Sequence, residues 1–162
     1  MSAAVSFVVP ALRPSEHLAR ALATLRAALG ARDGLDEIVV VDDSGQGALV
    51  SFTAQRAPGA RVIDPGRNLG FAGALTTGVE AARRELVFCM NSDLAVRPGF
   101  LEPLVLALDD PDVFAAVPRV LRRGESQGVE SLVRLEPREG SWRVRQPCVE
   151  DPRQAPPQRL LR

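Results

Sequence analysis

Short, continuously apolar runs alternate with stretches of helical periodicity along most of the chain. Val5-Ser6-Phe7-Val8-Val9 is a brief apolar run ended by Pro10, the pattern of a strand buried on both faces. Ser15 is placed to cap a helix that runs to about Leu29, because Leu18, Leu22, Leu25 and Leu29 recur at helical spacing and Gly30 supplies the stop. Glu37-Ile38-Val39-Val40-Val41 is the second strand, and Asp42-Asp43-Ser44-Gly45 the turn that leaves it. Residues 46–56 predict a short helix, and Arg61-Val62-Ile63 a third strand closed by Asp64-Pro65-Gly66. A glycine-rich turn and a helix from about Phe71 to Arg84 follow. Leu86-Val87-Phe88-Cys89-Met90 is the fourth strand, with Cys89 read as a small buried hydrophobe. Pro98 opens a helix to about Leu108, and residues 113–117 predict a fifth strand. Continuous apolar strands alternating with helices mean an α/β domain whose mostly parallel sheet is covered on both faces.

Beyond about Leu121 the texture changes to Arg, Pro, Glu and Gln with poor periodicity. Residues 1–122 are therefore expected as one domain and 123–162 as an irregular tail. Within the tail, 131–135 and 141–144 predict two edge strands. The prolines at 147, 152, 156 and 157 make the last stretch read as linker. No internal repeat is visible.

Composition narrows the function. Twenty basic and twenty acidic residues cancel, so no net field draws the chain to nucleic acid or to an anionic membrane. Every basic residue is Arg, which excludes any mechanism that needs a lysine. Cys89 and Cys148 are too few for a disulfide framework or a metal knuckle. No secretory leader and no apolar stretch of about 18 residues is present, which places the expected home in the cytoplasm, the inner face of the cell membrane included.

Ligands of an open parallel sheet bind outside the carboxyl ends of its strands. Three of the predicted strands end there in oxygen-bearing side chains: Asp42 and Asp43, then Asp64, then Asn91 and Asp93. Each is also a good helix cap, so one such residue means little, whereas three clusters on one edge point to a site. Asn91-Ser92-Asp93 sets two oxygen ligands at i and i+2, suited to a hard divalent ion that shares its shell with substrate phosphates. The segment Arg67-Asn68-Leu69-Gly70-Phe71-Ala72-Gly73-Ala74 places glycines before a helix and a guanidinium beside them. It has neither the GK[ST] of a P-loop nor the GxGxxG of a dinucleotide fold, so it reads mainly as close helix–sheet packing. His17, the only histidine, reads as a surface residue, and no Ser/His/Asp or Cys/His nucleophilic arrangement assembles.

The four blocks Val5–Pro10, Glu37–Ser44, Arg67–Ala74 and Leu86–Asp93, in this order and spacing, resemble glycosyltransferase family 2, most closely its rhamnosyltransferase-like members. Arg97–Glu102 and Pro118–Leu121 fit the same group, and the resemblance covers roughly residues 4–125. It implies a GT-A fold, with strand order 3-2-1-4, that binds a UDP- or dTDP-linked sugar. Pro10 and Ala11 would lie against the nucleotide, and Asp42 would accept a hydrogen bond from the pyrimidine. Asp43 and Ser44 would shape that pocket, and Arg67 and Asn68 would border the nucleotide. Asp93 would hold Mg²⁺ or Mn²⁺, with Asn91 in the variable first place of a D-x-D-like motif.

The resemblance further implies inverting transfer to a hydroxyl of a glycan or lipid-linked acceptor in bacterial cell-surface polysaccharide synthesis. The acceptor-side motifs of the family are not evident. Glu150-Asp151 matches as a dipeptide only and reads as a linker pair, so the catalytic base is unassigned. A lone chain is then expected to be an incomplete catalyst, with an exposed apolar flank and a homodimer or partner chain completing the acceptor site. The alternative is a non-catalytic nucleotide-sugar-binding or interaction module. A phospho-acceptor receiver domain, suggested by Asp42-Asp43 at a strand end, fails on the missing lysine.

Overall fold

A computed structural model describes residues 3–32, 34–121, 134–139 and 141–145. The chain divides into two compact units, Met1–Val105 and Leu106–Arg162, so the expected boundary at 122 falls within the second. The first unit holds a four-stranded parallel sheet of β1 (Val5–Ala11), β2 (Glu37–Asp42), β3 (Arg61–Ile63) and β4 (Leu86–Cys89), in the order β3-β2-β1-β4. Its helices are α1 (Glu16–Leu29), α2 (Val50–Arg56), α3 (Gly70–Glu80) and α4 (Glu102–Ala107), the last running just past the unit's end.

Burial explains the order. Every residue of β1 is buried, because β2 pairs along one side and β4 along the other while helices cover both faces. Val9, Ala11 and Val40 pack with Leu18, Ala21 and Leu22 of α1; Val5 and Phe7 pack with Leu25 and Leu29. Phe7, Phe88 and Phe100 add an aromatic group to this face, with ring centroids 5.5 to 6.2 Å apart. On the opposite face Val8, Val39 and Val41 meet Ala74 of α3. Gly78 lets that helix lie close: a Cβ there would overlap the side chains of Val8 and Val41. The close helix–sheet approach expected of the 67–74 segment is made by Ala74 at its end and continued one turn later by Gly78.

Ser15 caps α1 as expected, its Oγ accepting from Leu18 N at 3.1 Å. Other boundaries differ for identifiable reasons. β1 runs through Pro10 to Ala11, because successive residues of a strand turn their backbone groups to alternate sides. Val8 O accepts from Met90 N on the β4 side, so Pro10, two residues on, turns its missing donor to that side, past Cys89, the last paired residue of β4. α3 stops at Glu80 because the amides of Arg83 and Arg84 bond instead to Ser6 Oγ, and that of Arg83 also to Glu37 Oε1 at 2.6 Å. α4 starts four residues later than Pro98, because Gly99 takes φ 76° and breaks the helical path. α2 starts at Val50 rather than 46, after the left-handed Gly45 and Gly47.

Two expectations are corrected. Residues 113–117 form no strand: the segment leaves a turn built on Asp110, and Phe114 and Val117 are 94% and 70% exposed, so neither alternate face is buried. Cys89 is exposed, not buried, because α3 packs on β1 and β2 and leaves the side of β4 that carries Val87 and Cys89 open. In the second unit, β5 (Arg134–Arg138) and β6 (Ser141–Arg145) pair antiparallel with each other as a two-stranded sheet. The two expected edge strands thus pair with each other as a hairpin, the second beginning at Ser141 as expected and running one residue further. Residues 131–133, Cys148, Glu150-Asp151 and the proline-rich stretch lie outside the described residues.

Candidate functional site

The strand order reverses at β1: the chain steps outward from β1 through β2 to β3, then returns to lay β4 on the other side. Such a switch point leaves a crevice at the carboxyl edge, here between the ends of β1 and β4. Pro10 and Ala11 end β1 at this edge, both buried. Asn91-Ser92-Asp93 leaves β4 beside it as a turn, in which Leu94 N donates to Asn91 O at 3.3 Å. Leu94 and Val96 pack on the α1 face, and Val96 N donates to Thr24 Oγ1 at 3.2 Å, which fixes the path of this turn. The turn after β2 lies at the same edge, since Asp42 pairs with Ala11. Two interstrand steps separate it from β4, about 10 Å of backbone.

Burial sorts the acids of this edge. Asp42 is wholly buried: Oδ1 accepts from Ser44 N at 3.1 Å and Ser44 Oγ at 2.6 Å, and Oδ2 accepts from Leu49 N at 2.7 Å. Its carboxylate is thus committed to the loop that leads into α2. Asp43 is 6% exposed, and its Oδ1 accepts from Leu69 N at 2.6 Å. Asp64 is exposed and caps its own loop through Gly66 N at 2.8 Å. Asn91 and Asp93 are exposed, and Asp93 has no hydrogen-bond or ion-pair partner among the described residues.

The same turn holds the next loop. Asn68 Nδ2 donates to Asp43 O at 2.9 Å, while Asn68 Oδ1 accepts from Gly70 N at 3.0 Å. Gly45 sits against the backbone of Arg67 so closely that a Cβ would come within 2.5 to 2.9 Å of it. The guanidinium of Arg67 is exposed and without a partner among the described residues. The structure therefore brings Asp42, Asp43, Arg67 and Asn68 together on one side of the edge and Asn91 with Asp93 on the other. Sequence reasoning placed Gly45 in the turn after the second strand but gave no sign of its contact with Arg67, which lies 22 residues on.

Among the described residues no group of three or more His, Cys, Asp and Glu is arranged to hold a metal ion. Asp93 alone does not fit a closed protein cage. One carboxylate near an exposed amide does fit Mg²⁺ or Mn²⁺ that takes its remaining oxygens from a diphosphate and water. His17 is exposed, as expected of a surface residue.

The family described as Glycosyl transferase family 2 matches residues 6–158. The chain belongs to that family. It is 33% identical over 128 residues to the succinoglycan biosynthesis protein ExoO of Rhizobium meliloti, covering 73% of this chain and 36% of that protein. It is 28% identical over 116 residues to the dolichol-phosphate mannosyltransferase of Mycosarcoma maydis, covering 67% of this chain and 40% of that one. The chain thus spans well under half the length of these relatives. Among solved structures, residues 1–349 of S. aureus TarS resemble it with 21% identity and a TM-score of 0.49, over 65% of this chain and 32% of that one. The four parallel strands in the order 3-2-1-4 are those expected of the nucleotide-sugar-binding half of a GT-A fold. No described helix is long and apolar enough to cross a membrane.

Proposed function

We propose that this chain binds the nucleoside diphosphate sugar of a glycosyl transfer, with a UDP- or dTDP-linked donor laid across the crevice between β1 and β4. The observation that carries the reading is the division of labour at the carboxyl edge. Buried acids hold the loops, while Arg67 and Asp93, both exposed and without a partner among the described residues, lie on either side of the switch point. A diphosphate with its ion suits that pair: the guanidinium offers parallel N–H donors to phosphate oxygens, and the carboxylate offers a ligand to the cation. Pro10 and Ala11 give the nucleotide an apolar floor. Bound Mg²⁺ or Mn²⁺ would neutralise charge on the departing diphosphate.

For the whole protein the proposal is inverting attack by a glycan or lipid-linked hydroxyl in cell-surface polysaccharide synthesis, of the rhamnosyltransferase-like kind. Its base lies outside the residues assigned here, and the alternative reading is a module that binds the donor without turning it over. Calorimetric titration with UDP and dTDP, with and without Mn²⁺, tests the proposal. Binding should strengthen with metal, and Asp93→Ala should weaken it about tenfold or more while removing the metal dependence. Equal affinity with and without metal would make Asp93 a loop residue only.

A further inference from the structure

Asp43 was expected to shape the nucleotide pocket directly, yet it is almost wholly enclosed and its contacts run to another loop. Oδ1 accepts from Leu69 N at 2.6 Å, and its carbonyl accepts from Asn68 Nδ2 at 2.9 Å. These two bonds bracket the residues directly after Arg67. Gly45, two residues on from Asp43, meets the Arg67 backbone from the other side and can do so only without a side chain. The β3–α3 loop is therefore clamped to the β2 turn at three consecutive residues, 67 to 69. The first of them carries an exposed guanidinium with no partner among the described residues.

We propose that Asp43, together with Gly45, is a positioning residue that holds Arg67 over the donor's diphosphate and does not itself touch the ligand. The inference rests on the donor-binding reading above. A long cation on a free loop loses rotamer and backbone freedom when it engages phosphate, so a loop fixed in advance binds better. A carboxylate suits the clamp because its bond to a backbone N–H is charge-assisted.

The test uses UDP as probe against the full chain and Asp43→Ala, Asp43→Asn, Gly45→Ala, Arg67→Gln and the Asp43→Ala/Arg67→Gln double variant. Hydrogen exchange of the peptide containing Leu69 and Gly70 is followed without ligand. Asp43→Ala and Arg67→Gln should each weaken UDP about tenfold, the double variant no further than Arg67→Gln alone. Asp43→Asn, whose amide oxygen still accepts from Leu69, should recover most of the affinity. Exchange at Leu69 should rise in Asp43→Ala and not in Arg67→Gln. Should Asp43→Ala fail to fold, Gly45→Ala perturbs the same contact without touching the carboxylate, and its loss should likewise vanish when Arg67→Gln is added. Losses that multiply in a double variant, or affinity kept while Leu69 exchange rises, overturn the positioning role and leave donor binding standing. No UDP binding by the unaltered chain overturns the donor-binding reading and the positioning role with it, and a rise of Leu69 exchange in Asp43→Ala would then show that the contact between the loops is real and the donor-binding reading is what failed.

Discussion

Replacing Asp42 separates a ligand contact from a framework contact. In Asp42→Ala three donors lose their acceptor: Ser44 N, Ser44 Oγ and Leu49 N. The serine hydroxyl can turn elsewhere, but the Leu49 amide belongs to a wholly buried residue and has no other partner at hand. Hydrogen bonds to a charged acceptor contribute about 1.5–3 kcal/mol each, and a stranded buried donor costs about 1–3 kcal/mol. Allowing for overlap between those figures, the loss is about 3–5 kcal/mol, a large part of the roughly 5–15 kcal/mol that holds a domain together. At about 4 °C or more per kcal/mol for a unit of this size, Tm should fall by at least about 12 °C. Asp42→Asn keeps one oxygen and presents its NH₂ to a donor in place of the other, so it should lose about 1–2 kcal/mol. The assay is thermal unfolding and UDP titration on the same samples, the titration run well below the lowest Tm. The framework role predicts stability in the order Asp, Asn, Ala, with UDP affinity of folded Asp42→Asn within about threefold of the parent. An Asp42→Asn variant that keeps its Tm but loses UDP by tenfold or more would refute the reasoning and return Asp42 to the pyrimidine.

Two further outcomes follow from the sheet. Burial pushes Glu37 up, but hydrogen bonds from Ser6 and Arg83 and the charge and hydrogen bond of Arg61, 3.2 Å away, outweigh it and hold the carboxyl below its ordinary 4.5. A lowered folded pKa means stabilisation that is present above 4.5 and lost as pH falls through the folded value, so Glu37→Gln should flatten the acid limb of a denaturant-monitored stability–pH curve. An unchanged acid limb would show that the cluster contributes nothing. Gly78→Ala should cost about 1–3 kcal/mol, since the new methyl must displace α3 from Val8 and Val41, and an unaltered urea midpoint would contradict the packing described.

Most of the fold was legible because the signals were local. The apolar runs of β1, β2 and β4 cannot be satisfied except inside a sheet, and the leucines of α1 repeat at one face of a helix. What misled was the assumption that an apolar strand is covered on both faces. β4 has the composition of a buried strand, yet its Val87–Cys89 side is open, because coverage depends on where α3 lands and not on the residues of β4. Residues 113–117 failed for the same reason, since β propensity gives no partner strand. At the site, sequence placed the acids on the correct edge but could not rank them. Nothing near Asp42 in sequence announces that the Leu49 amide will take its second oxygen, and the contact of Asp43 with Leu69 spans 26 residues.

That ranking is where structure turns into function. Five oxygen-bearing side chains at one sheet edge look interchangeable in sequence, but an acid earlier bonded to backbone amides has little left to offer a ligand. Asp42 gives both its oxygens, and Asp43 one of its two, to donors of the neighbouring loops, which fixes those loops to the sheet edge. Asp93 follows β4 just past its last residue paired to β1, on the side where Pro10 has no N–H to donate. The chain leaves the sheet there, and in the Asn91-Ser92-Asp93 turn the side chains of Asn91 and Asp93 are exposed while Ser92 is half-buried. An edge built this way keeps a charged pair, Arg67 and Asp93, available on opposite sides of the buried end of β1. A diphosphate and its cation need that arrangement, and a set of saturated helix caps does not provide it.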